Sequence, residues 1–207
     1  MTPARDDNSG KSGRRAELLD IAAELFASRG VRATTVRDIA DAAGILSGSL
    51  YHHFDSKESM VDEILRAFLG DLFDSYRKIV ASDLPSRDTL AALVTTSYEA
   101  IDRSHAAVAI YQGEAKHLEG DRFAYIGELN IEFRDLWVGV IERGVADGSF
   151  RPDLDVELVF RFLRDTVWVA VRWYRPGGAL SIDQVAQQYL SIVLDGLSNQ
   201  NFPKEQQ

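Results

Sequence analysis

Residues 34–54 read TTVRDIADAAGILSGSLYHHF, the pattern of two short helices joined by a tight turn. Thr35 is placed to cap the first helix, and Asp38 three residues on can reach back to the cap, a capping box with Asp in place of the usual Glu. Ile39 and Ala43 supply a buried stripe, Ala40 permits a close helix crossing, and Gly44 supplies the permissive backbone of the turn. Ile45, Leu50 and Phe54 return apolar side chains to the same core. The second helix, about Ser47 to His53, is too short and polar to exist for packing alone. Ser47, Gly48, Ser49, Tyr51 and His52 leave small and aromatic donors facing outward, which suits a major groove, and Gly48 lets the backbone come close. Lys57 adds a charge just beyond. The competing reading is a helical hairpin of an ordinary bundle with a polar outer face.

The preceding segment gives this hairpin its context. Leu18, Leu19, Ala22, Leu25 and Phe26 recur at helical spacing and Gly30 ends the run, so three helices share one small core. The LF-x-x-x-G helix end, TTVRDIADAAG and SGSLYHHF together resemble the DNA-binding domain of TetR-family transcriptional regulators, almost position by position over residues 25–54. SKESMVDEIL resembles the start of that family's fourth helix, with Ser56 as its cap. The DNA-facing set expected is Arg14, Arg15, Thr34, Thr35, Ser47, Gly48, Ser49, Tyr51, His52 and Lys57. For Arg14 and Arg15 a solvated basic helix start is the alternative.

Composition bounds the rest. The chain has 207 residues, 45 % of them hydrophobic, no cysteine and a net charge of −9. Residues 1–58 carry 8 basic against 9 acidic side chains and residues 59–207 carry 15 against 23. The acidity thus belongs to the second part, and DNA contact must come from local geometry rather than net charge. Without cysteine there is no disulfide, thiolate nucleophile or cysteine metal site, and the four histidines at 52, 53, 105 and 117 form no metal pattern. No cofactor or metal is expected. No run is long and apolar enough to span a bilayer, and MTPARDDNSGKSGRR lacks the apolar stretch of a signal peptide, so the protein is expected in the cytoplasm.

The remainder reads as helices: 57–81, 87–103, 105–118, 122–147, 155–174 and 182–197. The expected fold is all-α, with a disordered arm over 1–13, a helix-turn-helix domain over 14–56, a ligand-binding and dimerisation domain of about six helices over 57–197, and a flexible tail over 198–207. One reader helix covers few base pairs, so a homodimer on two half-sites is expected. In the TetR family the last two helices form a four-helix bundle with their partners, and residues 155–174 and 182–197 resemble them. Val185, Tyr189, Ile192 and Val193 are the expected interface, unless the same stripe closes the monomer core.

Arg161, Arg164, Trp168, Arg172 and Arg175 recur at steps of three or four in FRFLRDTVWVAVRWYRPGG, within an acidic body. Guanidinium groups pair with phosphates or carboxylates and an indole stacks on a flat ring, chemistry that suits a coenzyme A thioester. Phe68, Leu72, Tyr98, Ile110, Tyr111, Phe123, Tyr125 and Trp137 could line an apolar cavity for its acyl group. Ion pairs within the helix, Glu157 with Arg161 and Asp165 with Arg164, or across a dimer, explain the same arginines.

Over nearly its whole length, and most specifically in RATTVRDIADAAGILSGSLYHHFDSKE, FRPDLD and RFLRDTVWVAVRWYRPGG, the chain is similar to TetR-family repressors of sterol degradation. That resemblance implies a dimeric repressor released from its operator by the coenzyme A thioester of the indanedione propanoate, a late-ring cholesterol intermediate. It carries Arg164, Trp168 and Arg172 onto the ligand-contacting helix; Arg161 and Arg175 follow from helical spacing. A sensor of fatty acyl thioesters or of a neutral apolar drug is the nearest alternative within regulators, and the arginines argue against the drug. An enzyme would need a G-x-S-x-G elbow, an HE-x-x-H helix or a cysteine, and offers only Glu114 and His117, three apart, as an acid/base pair. A nucleoid-type structural protein is disfavoured by the acidic body.

Overall fold

A computed structural model describes residues 7–114, 118 and 120–197, with side chains from Gly13 onward. The elements in chain order are α1 (Asp7–Arg29), α2 (Val36–Ala42), α3 (Ser47–Leu50), α4 (Lys57–Val80), α5 (Ser86–Arg103), α6 (His105–Glu114), α7 (Ala124–Ala146), α8 (Val156–Trp168) and α9 (Ile182–Leu197). Short 3-10 turns occupy Asp121–Phe123 and Val169–Arg172. Among the described residues there is no strand, and the all-α architecture is as expected. Two expectations change. Helix α1 begins at Asp7, so the arm expected over 1–13 is helical from there, and α8 ends at Trp168 rather than 174. The tail 198–207 and residues 115–117 lie outside the described residues.

Local chemistry sets the boundaries. Gly30 closes α1 and Gly44 turns the chain after α2 with φ of +87° and +67°, values an L side chain adopts only with strain. Ser56 and Ser59 cap α4 reciprocally, Ser59 N donating to Ser56 Oγ at 3.1 Å and Ser56 N to Ser59 Oγ at 3.2 Å. Pro85 stands at the N-cap of α5, where its missing N–H is no loss. Asp155 caps α8 by accepting from Leu158 N at 3.0 Å.

The chain forms two compact units. One comprises the described residues up to Phe68 with those of Ala106–Phe123; the other comprises Leu69–His105 and the described residues from Ala124 onward. In the first, Leu18, Ala22, Phe26, Ile39, Ala40, Leu50 and Phe54 are buried together on α1 to α3 and the turn that follows. Helix α6 belongs with them: Glu114 Oε1 accepts from Val31 N at 3.2 Å. The second unit is centred on Tyr76, Phe133, Trp137 and Phe160, with Tyr76 edge-on to Trp137 at 6.0 Å and 87° and Phe133 5.8 Å from Phe160. Tyr76 also shares a buried 2.6 Å hydrogen bond with Ser97, and burial pushes its phenol well above the usual range. A Cβ at Gly144 would lie 2.2 Å from the Phe150 ring, so this glycine lets the connector after α7 fold back onto the helix.

Candidate DNA-reading surface and effector region

The reading surface starts from the cap of α2. Asp38 N donates to Thr35 Oγ1 at 3.1 Å while Thr35 N donates to Asp38 Oδ2 at 2.7 Å, completing the expected capping box. The Thr35 hydroxyl also donates to Asp38 Oδ2 at 2.6 Å, and this hydroxyl, then the backbone N–H, holds the carboxyl below its ordinary range. After Gly44, Ile45 N returns to Ala40 O at 3.0 Å. Helix α3 then makes one turn, and His53 N and Phe54 N both reach back to Leu50 O, at 2.9 and 3.0 Å. The expected reader Ser47–His53 is thus one α turn followed by tighter turns.

Tyr51, 57 % exposed, stands out from this element, and Gly48 and His52 are exposed beside it, with Ser47 and Ser49 half-buried. Other members of the expected set are engaged within the protein. Thr34 is 0 % exposed, its hydroxyl donating to Gly30 O at 2.9 Å; it closes the end of α1 and does not face DNA. Lys57 Nζ donates to Val31 O at 2.7 Å and Thr34 O at 3.0 Å, neutralising carbonyls the turn leaves unpaired. Arg15 binds the carboxylate of Glu63 and lies 4.4 Å over the Phe54 ring. Arg14 bonds Glu17 at 2.6 Å and Ala43 O at 3.0 Å. Sequence reading also missed Leu46, which stands at the N-cap of α3 with no side-chain cap bond and is 80 % exposed. An apolar residue where Ser, Thr, Asp or Asn is preferred was the available signal.

In the second unit the arginine strip does not continue as one helix face. Arg161 and Arg164 are exposed on α8, but the chain tightens after Trp168 into the 3-10 turn, so Arg172 and Arg175 leave the helical register. Two bonds fix this segment: Tyr174 Oη donates to Asp102 Oδ1 at 2.5 Å, and His105 Nε2 meets Val171 O at 3.1 Å. The Asp102 bond, then burial, pushes the Tyr174 phenol up to about 12. Arg164 pairs with Asp165 at 2.7 Å, and Arg175 folds onto the carbonyls of Tyr174 and Arg172 at 2.9 and 3.2 Å. Glu157 binds Arg134, not Arg161. Arg161 and Arg172 have no carboxylate partner among the described residues. Trp168 is buried, and the exposed indole next to Arg172 is Trp173.

The expected cavity lining divides between the units: Phe68, Ile110, Tyr111 and Phe123 in the first, Leu72, Tyr98, Tyr125 and Trp137 in the second. Phe68, Leu72, Tyr98, Ile110, Phe123 and Trp137 are buried, and Tyr111 and Tyr125 half-buried. Trp137 Nε1 has no hydrogen-bond partner among the described residues.

The expected interface stripe also divides. Val193 is only 7 % exposed and faces the core. Tyr189 is half-buried, its hydroxyl 2.6 Å from Thr166 Oγ1 and its ring 5.5 Å from that of Tyr98; Val185 is half-buried. Ile192, 66 % exposed, points outward, as do Leu158, Phe162 and Val169 of the neighbouring segment. The reason is angular: residues on a helix step by about 100°, and a core-facing side of α9 that takes Ala186, Val193, Leu194 and Leu197 leaves Ile192 turned toward the opposite side.

No group of three or more metal-ligating side chains occurs among the described residues, and no helix there is long and apolar enough to cross a membrane. Glu114, the expected acid/base candidate, is committed to Val31 N; His117 lies outside the described residues.

Comparison with known proteins agrees with this geometry. Residues 18–64 match bacterial regulatory proteins of the tetR family, and residues 83–197 match the tetracyclin repressor-like C-terminal domain. The HTH-type transcriptional repressor KstR2 of Rhodococcus jostii is 77 % identical over 198 residues, 95 % of this chain and 97 % of that protein. KstR2 of Mycobacterium tuberculosis is 59 % identical over 91 % of this chain and 95 % of its own length. The solved structure of the ketosteroid transcriptional regulator KstR2 of M. tuberculosis superposes with a TM-score of 0.89 at 56 % identity, covering 97 % of this chain and all of that one. A likeness that runs through both the reader and the body places the chain in one family: it belongs to the TetR family, as a DNA-binding transcriptional repressor and not an enzyme.

Proposed function

We propose that this repressor acts in the cytoplasm as a homodimer on operator DNA, and that a coenzyme A thioester of a steroid-degradation intermediate, the indanedione propanoate, releases it. The observation that carries the effector class is the pair Arg161 and Arg172, guanidinium groups without a carboxylate partner among the described residues, in a part of the chain with 15 basic against 23 acidic side chains. Where acids are plentiful, cations kept apart from them suit an anionic ligand, and guanidinium suits phosphate. The exposed Trp173 ring beside Arg172 offers a stacking surface for an adenine. The steroid part of the reading is supported by relatives whose name is KstR2, one solved structure being called a ketosteroid regulator.

The homodimer is supported by Leu158, Phe162, Val169 and Ile192, apolar side chains left exposed on α8, the turn after it and α9. One reader per subunit also covers too few base pairs for specificity alone. Ligand and DNA then compete through a coupling of about 1–3 kcal/mol per site. The test is release of the purified protein from its own promoter fragment, titrated with the steroid thioester, its free acid and a long-chain acyl thioester. Release by the steroid thioester alone is expected. Release by the long-chain thioester would transfer the reading to a fatty acyl sensor, and release by none would remove the coenzyme A ligand.

A further inference from the structure

Among the described residues Leu46 is the most exposed of the large apolar side chains, at 80 %, and it occupies the N-cap of the reader helix without forming a side-chain cap. Both features oppose local stability: a polar cap residue would satisfy a free N–H, and a leucine in water forfeits its burial. Two residues on, Gly48 lies in the same one-turn helix. Glycine weakens a helix, yet nothing lies within 4 Å of where its Cβ would be, and its φ is not positive. The fold therefore asks for neither the leucine nor the glycine. Local rules broken together, without compensation inside the chain, mark a surface shaped for something outside it.

That outside object is the operator. The N-terminal residues of a reader helix go deepest into the major groove, and the C5-methyl of thymine is the apolar feature displayed there. We propose that Leu46 is a specificity-determining residue that packs against a thymine methyl in each half-site, with Gly48 allowing the backbone close enough for that contact. Tyr51 and His52, exposed beyond it, supply polar contacts that do not read this methyl. The inference rests on DNA binding by the reader helix and adds a base preference to it.

Deoxyuridine replacement tests it, because it removes the methyl and leaves base pairing intact. Each thymine of the protein's own promoter fragment is replaced singly, and binding of the wild type is compared with that of Leu46→Ser, which restores a polar cap. Wild-type binding to the unmodified fragment is the control for the DNA-binding reading itself. The expected result is a thymine position in each half-site at which deoxyuridine weakens the wild type about fourfold, the worth of one buried methyl group. Leu46→Ser should bind the unmodified fragment more weakly, be indifferent to the same replacement, and melt no lower than the wild type. Wild-type binding that is tight but indifferent to every replacement overturns the proposal, as does a Leu46→Ser variant with the wild-type sensitivity.

Discussion

The carboxylate of Glu114, at the end of α6, accepts the backbone N–H of Val31 at 3.2 Å, 83 residues away in sequence. Val31 follows Gly30 in the turn toward α2, and its carbonyl is taken by Lys57. Both polar groups of this residue are thus satisfied by side chains from other elements. Glu114→Ala leaves a largely buried N–H unpaired and is expected to cost about 1–3 kcal/mol, a fall of several degrees in Tm. Glu114→Gln keeps an acceptor and should lose less. Thermal unfolding followed by circular dichroism separates the two.

Removing the cap of α2 should loosen the platform that carries the reader. Thr35→Ala is expected to lower stability by about 1 kcal/mol. Since Thr35 and its N–H hold the Asp38 carboxyl below its ordinary range, the charged carboxylate contributes above the unfolded-state pKa, and the contribution is lost as pH falls through the lowered folded value. Asp38→Asn should therefore flatten the acid limb of a stability-against-pH curve, and an unchanged limb would argue that the box carries no weight.

The two units should separate by function. Tyr51→Ala is expected to weaken operator binding about tenfold or more, on the scale of a lost base or phosphate contact, with effector binding preserved. Arg161→Met and Arg172→Met should keep operator affinity and demand at least about tenfold more effector for release, a charge-assisted hydrogen bond to phosphate having been removed. Gel-shift and calorimetric titrations of the three variants decide this, and the reversed pattern would sink the assignment.

Ile192 and Val193 make a paired test of the dimer. Ile192→Asp on α9, or Phe162→Asp on α8, is expected to give a monomer of native helix content, because both positions are exposed in the single chain. Val193→Ala should lower stability by about 1–2 kcal/mol through lost packing without changing the association state. Sedimentation and thermal melts check the two expectations.

The bond from Tyr174 to Asp102 holds the segment that carries Arg172. Its phenol, pushed up to about 12, stays protonated in the folded protein after an unfolded tyrosine has ionised near 10. The stability it contributes is therefore complete below about 10 and is lost as pH rises toward 12. Tyr174→Phe should remove that alkaline loss and raise the effector concentration needed for release, with operator affinity unaltered. Phenolate absorbance and melts across the alkaline range measure it.

Much of this was legible along the chain, and the part that was not has a common cause. Thr35 with Asp38, Ser56, Gly30 and Gly44 act within three or four residues, and the apolar spacing of α4, α5 and α9 needs only the 3.6-residue period, so helices and caps could be read directly. The family resemblance rested on these same local patterns. What α3 exposes was half legible: Tyr51 and His52 stand free, whereas Arg15, Thr34 and Lys57 are held by Glu63, Gly30 and Val31. Long polar side chains choose partners by distance in space, and for Arg15 and Lys57 those partners lie 48 and 26 residues off. The arginine strip shows the same limit, since its spacing assumes a helix that the bonds from Asp102 and His105 accompany into a 3-10 turn after Trp168. The sequence by itself determined the family, the all-α elements and the reader. Only the tertiary structure decided which cations are spent on the fold, which face of α9 is open, and that Leu46 is left in water, because these depend on contacts between residues no local period relates.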